Sequence, residues 1–78
     1  MEGRMHSVYV ARGIFDGERC VLYVGSTCRG MTRFHEHAGT QMWWPSMSST
    51  TWHHRTSRAA ALKTERRLIE QLRPMFNF

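Results

Sequence analysis

The chain is short of cysteine, of acidic residues and of long apolar runs, and each shortage removes a class of protein. Two cysteines, Cys20 and Cys28, are too few for a disulfide scaffold. They read as reduced thiols of a cytoplasmic protein, Cys20 on a strand and Cys28 in a loop. Five histidines are present, but no CxxC or HxxxH pair is matched by a second pair at ligand spacing, which argues against zinc. No apolar run approaches the roughly 20 residues needed to span a bilayer, and MEGRMHSV lacks a signal-peptide core, so no membrane partner is expected. Internal repeats and low-complexity segments are also missing.

Acidic residues number 6 against 11 Lys and Arg, which leaves a net charge of +5 and a pI near 10.3. That balance favours a polyanionic partner, bound through phosphate contacts with release of counterions. The 78 residues make a single domain, residues 1–78. A chain this short buries only about 60% of its unfolded surface, so its stability is expected to be marginal. Apolar residues make up 41%, with three Trp and four Phe, a globular composition.

Ser7 to Gly13 and Cys20 to Gly25 alternate and are rich in Val, Tyr and Leu, as strands are. Asp16-Gly17 between them is a turn signal. A two-residue Asp16-Gly17 loop pairs Tyr9 with Val24 and Val10 with Tyr23, mixing the faces. A three-residue loop, Phe15-Asp16-Gly17, instead sets Val8 against Val24, Val10 against Leu22 and Tyr9 against Tyr23. Because a one-residue slip exchanges the faces, burial is expected to select the second register.

Met31 to Ala38 reads as a short helix stopped at Gly39, with Arg33 and His37 at i and i+4 on one face. Pro45 ends the ambiguous GTQMWWP, in which Trp43 and Trp44 read as core and cover. Ser46 to His54 reads as a third strand. The clearest element is a helix from Arg58 to Leu72, with Ser57 as N-cap and Pro74 beyond its end. Its apolar stripe is Ala61, Leu68, Ile69 and Leu72, and Glu65 falls inside it. An inward carboxylate is costly unless a cation, a metal or hydrogen bonds satisfy it.

Ser7-Val8-Tyr9, Tyr23-Val24-Gly25, Arg33, His37, Glu65 and Asn77 occur in an order and approximate spacing that resembles a GIY-YIG nuclease domain. The resemblance runs from Ser7 to Asn77. It implies an α/β (α+β) fold: a small three-stranded antiparallel sheet flanked by helices. It also implies metal-dependent hydrolysis, with Mg²⁺ or Mn²⁺ as the divalent ion. Two departures stand out. Ser7 replaces the family's first glycine, and Arg29 occupies the loop where many members carry a lysine.

Phosphodiester hydrolysis needs an activated water, charge stabilisation at phosphorus and help for the leaving oxygen. Within the resemblance, Glu65 holds the metal and Arg33 binds the scissile phosphate through its guanidinium fork. Tyr9 and His37 are expected to act as one base unit, with the metal, Arg33 and His37 tuning the phenol toward ionisation. Tyr23 orients phosphate or water, and Gly25 lets a backbone approach closely. Arg29 is a candidate loop cation, and Asn77 supports Glu65 or the chain terminus by hydrogen bonds. Each side chain taken alone has a plainer reading: packing for a strand tyrosine, solvation for a helix arginine or histidine, and an arginine bridge for Glu65. His35, His53 and His54 read as surface polar residues. The expectation is a DNA endonuclease, targeted by a separate protein or by homodimerisation. The alternative is a non-catalytic nucleic-acid-binding module of the same fold.

Overall fold

The computed structural model describes residues 6–28, 34–36 and 38–77. It is a small α+β domain built on a three-stranded antiparallel sheet. Strand β1 spans His6–Phe15, β2 spans Glu18–Thr27 and β3 spans Met47–Arg55, in the spatial order β2-β1-β3. Helix α1 covers Arg58–Leu72. Residues 34–36 and 38 are helical, and a 3₁₀ turn at Trp44–Ser46 leads into β3.

The central position of β1 explains its composition. Ser7 to Ala11 are all buried, because α1 covers one face of the strand and an aromatic layer the other. Val8, Val10 and Val24 meet Ala61 of α1, with Leu68, Ile69 and Leu72 packed around them. On the opposite face Tyr9, Ala11 and Leu22 pack with Phe34, Ala38 and Trp43.

The hairpin register differs from the expected one. Phe15 pairs with Glu18, so the loop is the two-residue Asp16-Gly17 turn. Both residues take positive φ, 52° and 80°, as a type I′ turn requires, and that turn matches the twist of the strands it joins. The face-mixing that this loop threatens is removed by a β-bulge. The register shifts between Ala11 and Arg12, leaving Leu22 as the extra residue of β2. Beyond it Ala11 faces Tyr23, Val10 faces Val24 and Tyr9 faces Gly25. Tyr9 and Tyr23 therefore share a face without being directly opposed.

Helix α1 begins where its cap predicts. The Ser57 side-chain oxygen accepts from the Ala60 N–H at 3.1 Å. Arg55 Nε donates to the buried Thr64 hydroxyl at 3.0 Å, which ties the helix to the end of β3. At the other end Arg73 adopts the left-handed conformation at φ 48° and its N–H donates to Ile69 O. The chain then turns back along the outer edge of β2. Met75 N–H donates to Val21 O and Phe76 N–H to Leu22 O, at 3.0 and 2.9 Å. The closing segment thus covers part of an edge that would otherwise present unpaired backbone groups.

Candidate active site

Tyr9 and Tyr23 are placed by the bulged hairpin. Leu22 takes up the odd residue, so Tyr23 falls on the Tyr9 face, with ring centroids 6.1 Å apart and planes inclined by 34°. Opposite Tyr9 stands Gly25. A β-carbon on Gly25 would lie 2.6 Å from the Tyr9 hydroxyl and 2.7 Å from Tyr23 Cε2. The glycine leaves room for two phenol rings, a more specific demand than the open approach expected from the sequence.

Aromatic neighbours fix both rings. Phe34 meets Tyr9 edge-on at 4.7 Å and Trp52 lies 5.4 Å away. Trp43 stacks on Tyr23 at 5.2 Å with planes 14° apart. Tyr9 is only 3% exposed, whereas Tyr23 is half-buried. The Trp43 indole N–H is buried with no hydrogen-bond partner among the described residues.

Electrostatics bring in the helix. Burial pushes the Tyr9 phenol far above its ordinary pKa, and Tyr23 and the Glu65 carboxylate push it further. Tyr23 is raised by burial and then by Glu65. Glu65, half-buried on α1, therefore lies within electrostatic reach of both hydroxyls. These influences all oppose ionisation, so the two phenols are neutral hydrogen-bond donors at neutral pH. The tuning expected from the sequence was to come from other groups. Of its three agents, the metal is a ligand, and Arg33 and His37 lie outside the described residues, as does Arg29.

Asn77 makes no hydrogen bond to Glu65. Its Oδ1 accepts from Val24 N–H and its Nδ2 donates to Val24 O, both at 2.8 Å, in a bidentate bracket on the β2 edge. The contact seats the closing segment beside Tyr23 and Gly25. Ser7 is buried, and its hydroxyl lies 2.8 Å from His54 Nδ1, directly across the β1–β3 ladder. His54 thus has a structural partner. Sequence reasoning passed over Phe34 and Trp52 as neighbours of Tyr9. The apolar spacing of Phe34 and Ala38, at i and i+4, carried a signal, and both are buried.

Among the described residues no three His, Cys, Asp or Glu side chains gather as a metal cluster. Mg²⁺ is commonly held by one or two carboxylates, with waters and substrate phosphates completing its shell. Glu65, the carboxylate within electrostatic reach of both phenols, is a donor of that kind. Both cysteines are free, and among the described residues no helix is long and apolar enough to cross a membrane. Compared with known proteins, the chain matches no family model, no curated protein and no solved structure.

Proposed function

We propose that the chain is a metal-dependent endonuclease of the GIY-YIG type, hydrolysing phosphodiester bonds in DNA. The observation that carries this reading is the Tyr9–Tyr23 pair packed over Gly25, with Glu65 of α1 within electrostatic reach of both phenols. Glu65 would hold a divalent cation, which supplies charge stabilisation at phosphorus and an acidified water. Arg33 would grip the scissile phosphate, with Arg29 as an additional cation. Tyr23, the more accessible phenol, would donate a hydrogen bond that orients phosphate or water.

Tyr9 starts neutral, so it can take a proton from water only after giving its own away. His37 would be the acceptor in this scheme, and positive charge from Arg33 or the bound cation would offset the burial and the Glu65 field. The attacking water would then form the new P–O bond as the bond to the leaving oxygen breaks, and the proton held by His37 would pass through solvent to that oxygen, which returns His37 to neutral. Asn77 keeps the Tyr23 strand in place through Val24.

One observation favours the second reading, a nucleic-acid-binding module without cleavage: Tyr9 is buried and its pKa is raised. Nicking of supercoiled plasmid with Mg²⁺, beside Glu65→Ala, separates the two. Cleavage that depends on Mg²⁺ and Glu65 supports the nuclease. DNA binding with no cleavage at any metal concentration supports the binding module.

A further inference from the structure

Helix α1 covers only part of its face of the sheet. It packs on Val8, Val10 and Val24, while Arg12 and Ile14 continue the same face of β1 by alternation. Ile14 is 54% exposed there. In this uncovered half the sheet is irregular on both sides of a single residue. The β1–β2 register shifts between Ala11 and Arg12, with Leu22 extra. The β1–β3 register shifts between Arg12 and Gly13, with Ser48 extra. Bulges bend a strand, add twist and re-aim side chains, and they concentrate beside functional sites.

The two bulges border a cavity of about 440 Å³ lined by Arg12, Gly13, Arg19, Ser48 and Ser49, with Ile14, Cys20 and Val21 as apolar wall. Two arginines and two serines line one hollow, and among the described residues no carboxylate lines it. Arg12 is also oriented in advance. One hydrogen bond from Nη1 to the Thr51 hydroxyl, at 2.9 Å, orients the fork and uses one of its five N–H donors.

We propose that this cavity is a phosphate site that takes a phosphodiester of a nucleic-acid strand, on the sheet face opposite Tyr9 and Tyr23. An arginine fork matches phosphate oxygens two at a time, and the Ser49 hydroxyl can supply a further donor, that of Ser48 being given to the Arg12 carbonyl at 3.4 Å. Backbone phosphate contacts position a strand without reading its bases, which suits a cavity whose polar groups are guanidinium, hydroxyl and backbone. The proposal rests on the nucleic-acid part of the function above and not on cleavage.

The test is the fluorescence anisotropy of a labelled oligonucleotide titrated with the full chain in chelator, at several salt concentrations. Arg12→Ala and Arg19→Ala should each weaken binding about tenfold and reduce the salt slope by about one. Arg66→Ala, which removes an exposed charge from α1, should cost less than about threefold. Arg19 is exposed on β2, so its replacement leaves the fold intact even if Arg12→Ala does not. Equal, small losses for all three variants would overturn the cavity site and leave the nuclease reading standing. Loss of binding to phosphatidylserine vesicles in Arg12→Ala, with oligonucleotide binding unchanged, would also overturn it in favour of lipid headgroups. A wild-type chain that binds no oligonucleotide would overturn both readings, and Mg²⁺-dependent plasmid nicking is scored separately.

Discussion

Tyr9 and Gly25 face each other across the β1–β2 ladder, and the tyrosine ring fills the space that a side chain on Gly25 would need. The pair joins two demands in one contact. Strand β2 must run close to β1, and two phenols must lie side by side over it. A single β-carbon would break the second demand while leaving the ladder intact.

Gly25→Ala is therefore expected to displace one or both tyrosines and to destabilise the domain by about 1–3 kcal/mol, the usual cost of overpacking. Urea unfolding measures the loss. Unchanged stability together with unchanged tyrosine fluorescence would show that the ring packing is looser than described.

Tyr9 also gives the protein a dependence on alkaline pH. Its pKa is raised in the folded state above the ordinary 10.0, so above that value the unfolded chain binds fewer protons than the folded one. The stabilisation is fully present below the unfolded pKa and is lost as pH rises through the folded one. Thermal melts should show stability falling above pH 10 and falling less steeply in Tyr9→Phe. Parallel curves for the two proteins would refute the assignment.

Asn77→Ala removes both halves of the bracket on Val24 and exposes two backbone groups to incomplete pairing. The expected cost is about 1–3 kcal/mol. Hydrogen exchange at the Val24 amide should accelerate beyond what the global loss accounts for, because the closing segment opens locally.

Arg73 holds φ 48° where helices commonly end in glycine. The left-handed conformation costs a residue with a β-carbon about 1 kcal/mol, so Arg73→Gly is expected to stabilise the chain by roughly that amount. A lower melting temperature in this variant would mean that the arginine side chain makes a compensating contact.

The sequence carried the parts of this fold that obey local rules. Helix α1 has a cap at Ser57, an apolar stripe and a terminating Pro74, and it forms over the expected residues. Asp16-Gly17 was marked as the turn signal, but within a three-residue loop rather than the two-residue one that forms. The third strand was readable too. The register was not, because a bulge breaks the alternation on which the pairing argument relies, and nothing local marks Leu22 as its extra residue. Asn77 posed a different difficulty. Its partner Val24 lies 53 positions away, and the bond joins a side chain to backbone, which no pattern of side chains reveals. The resemblance to a nuclease family brought Tyr9, Tyr23 and Glu65 into one hypothesis. The direction of the Tyr9 shift needed burial, which depends on Phe34 and Trp52 closing over the ring.

The central claim is that Tyr9, Tyr23 and Glu65 belong to one metal-dependent hydrolytic site. The most direct measurement is nicking of supercoiled plasmid by the wild type, Glu65→Ala and Tyr9→Phe across a Mg²⁺ titration, with DNA binding followed in parallel. The account predicts nicking that requires Mg²⁺, a fall of at least about a hundredfold in each variant and near-normal binding in both, in line with the loss of a general base or a metal ligand. Full activity in Glu65→Ala, or cleavage by the wild type that is indifferent to divalent metal, would contradict it.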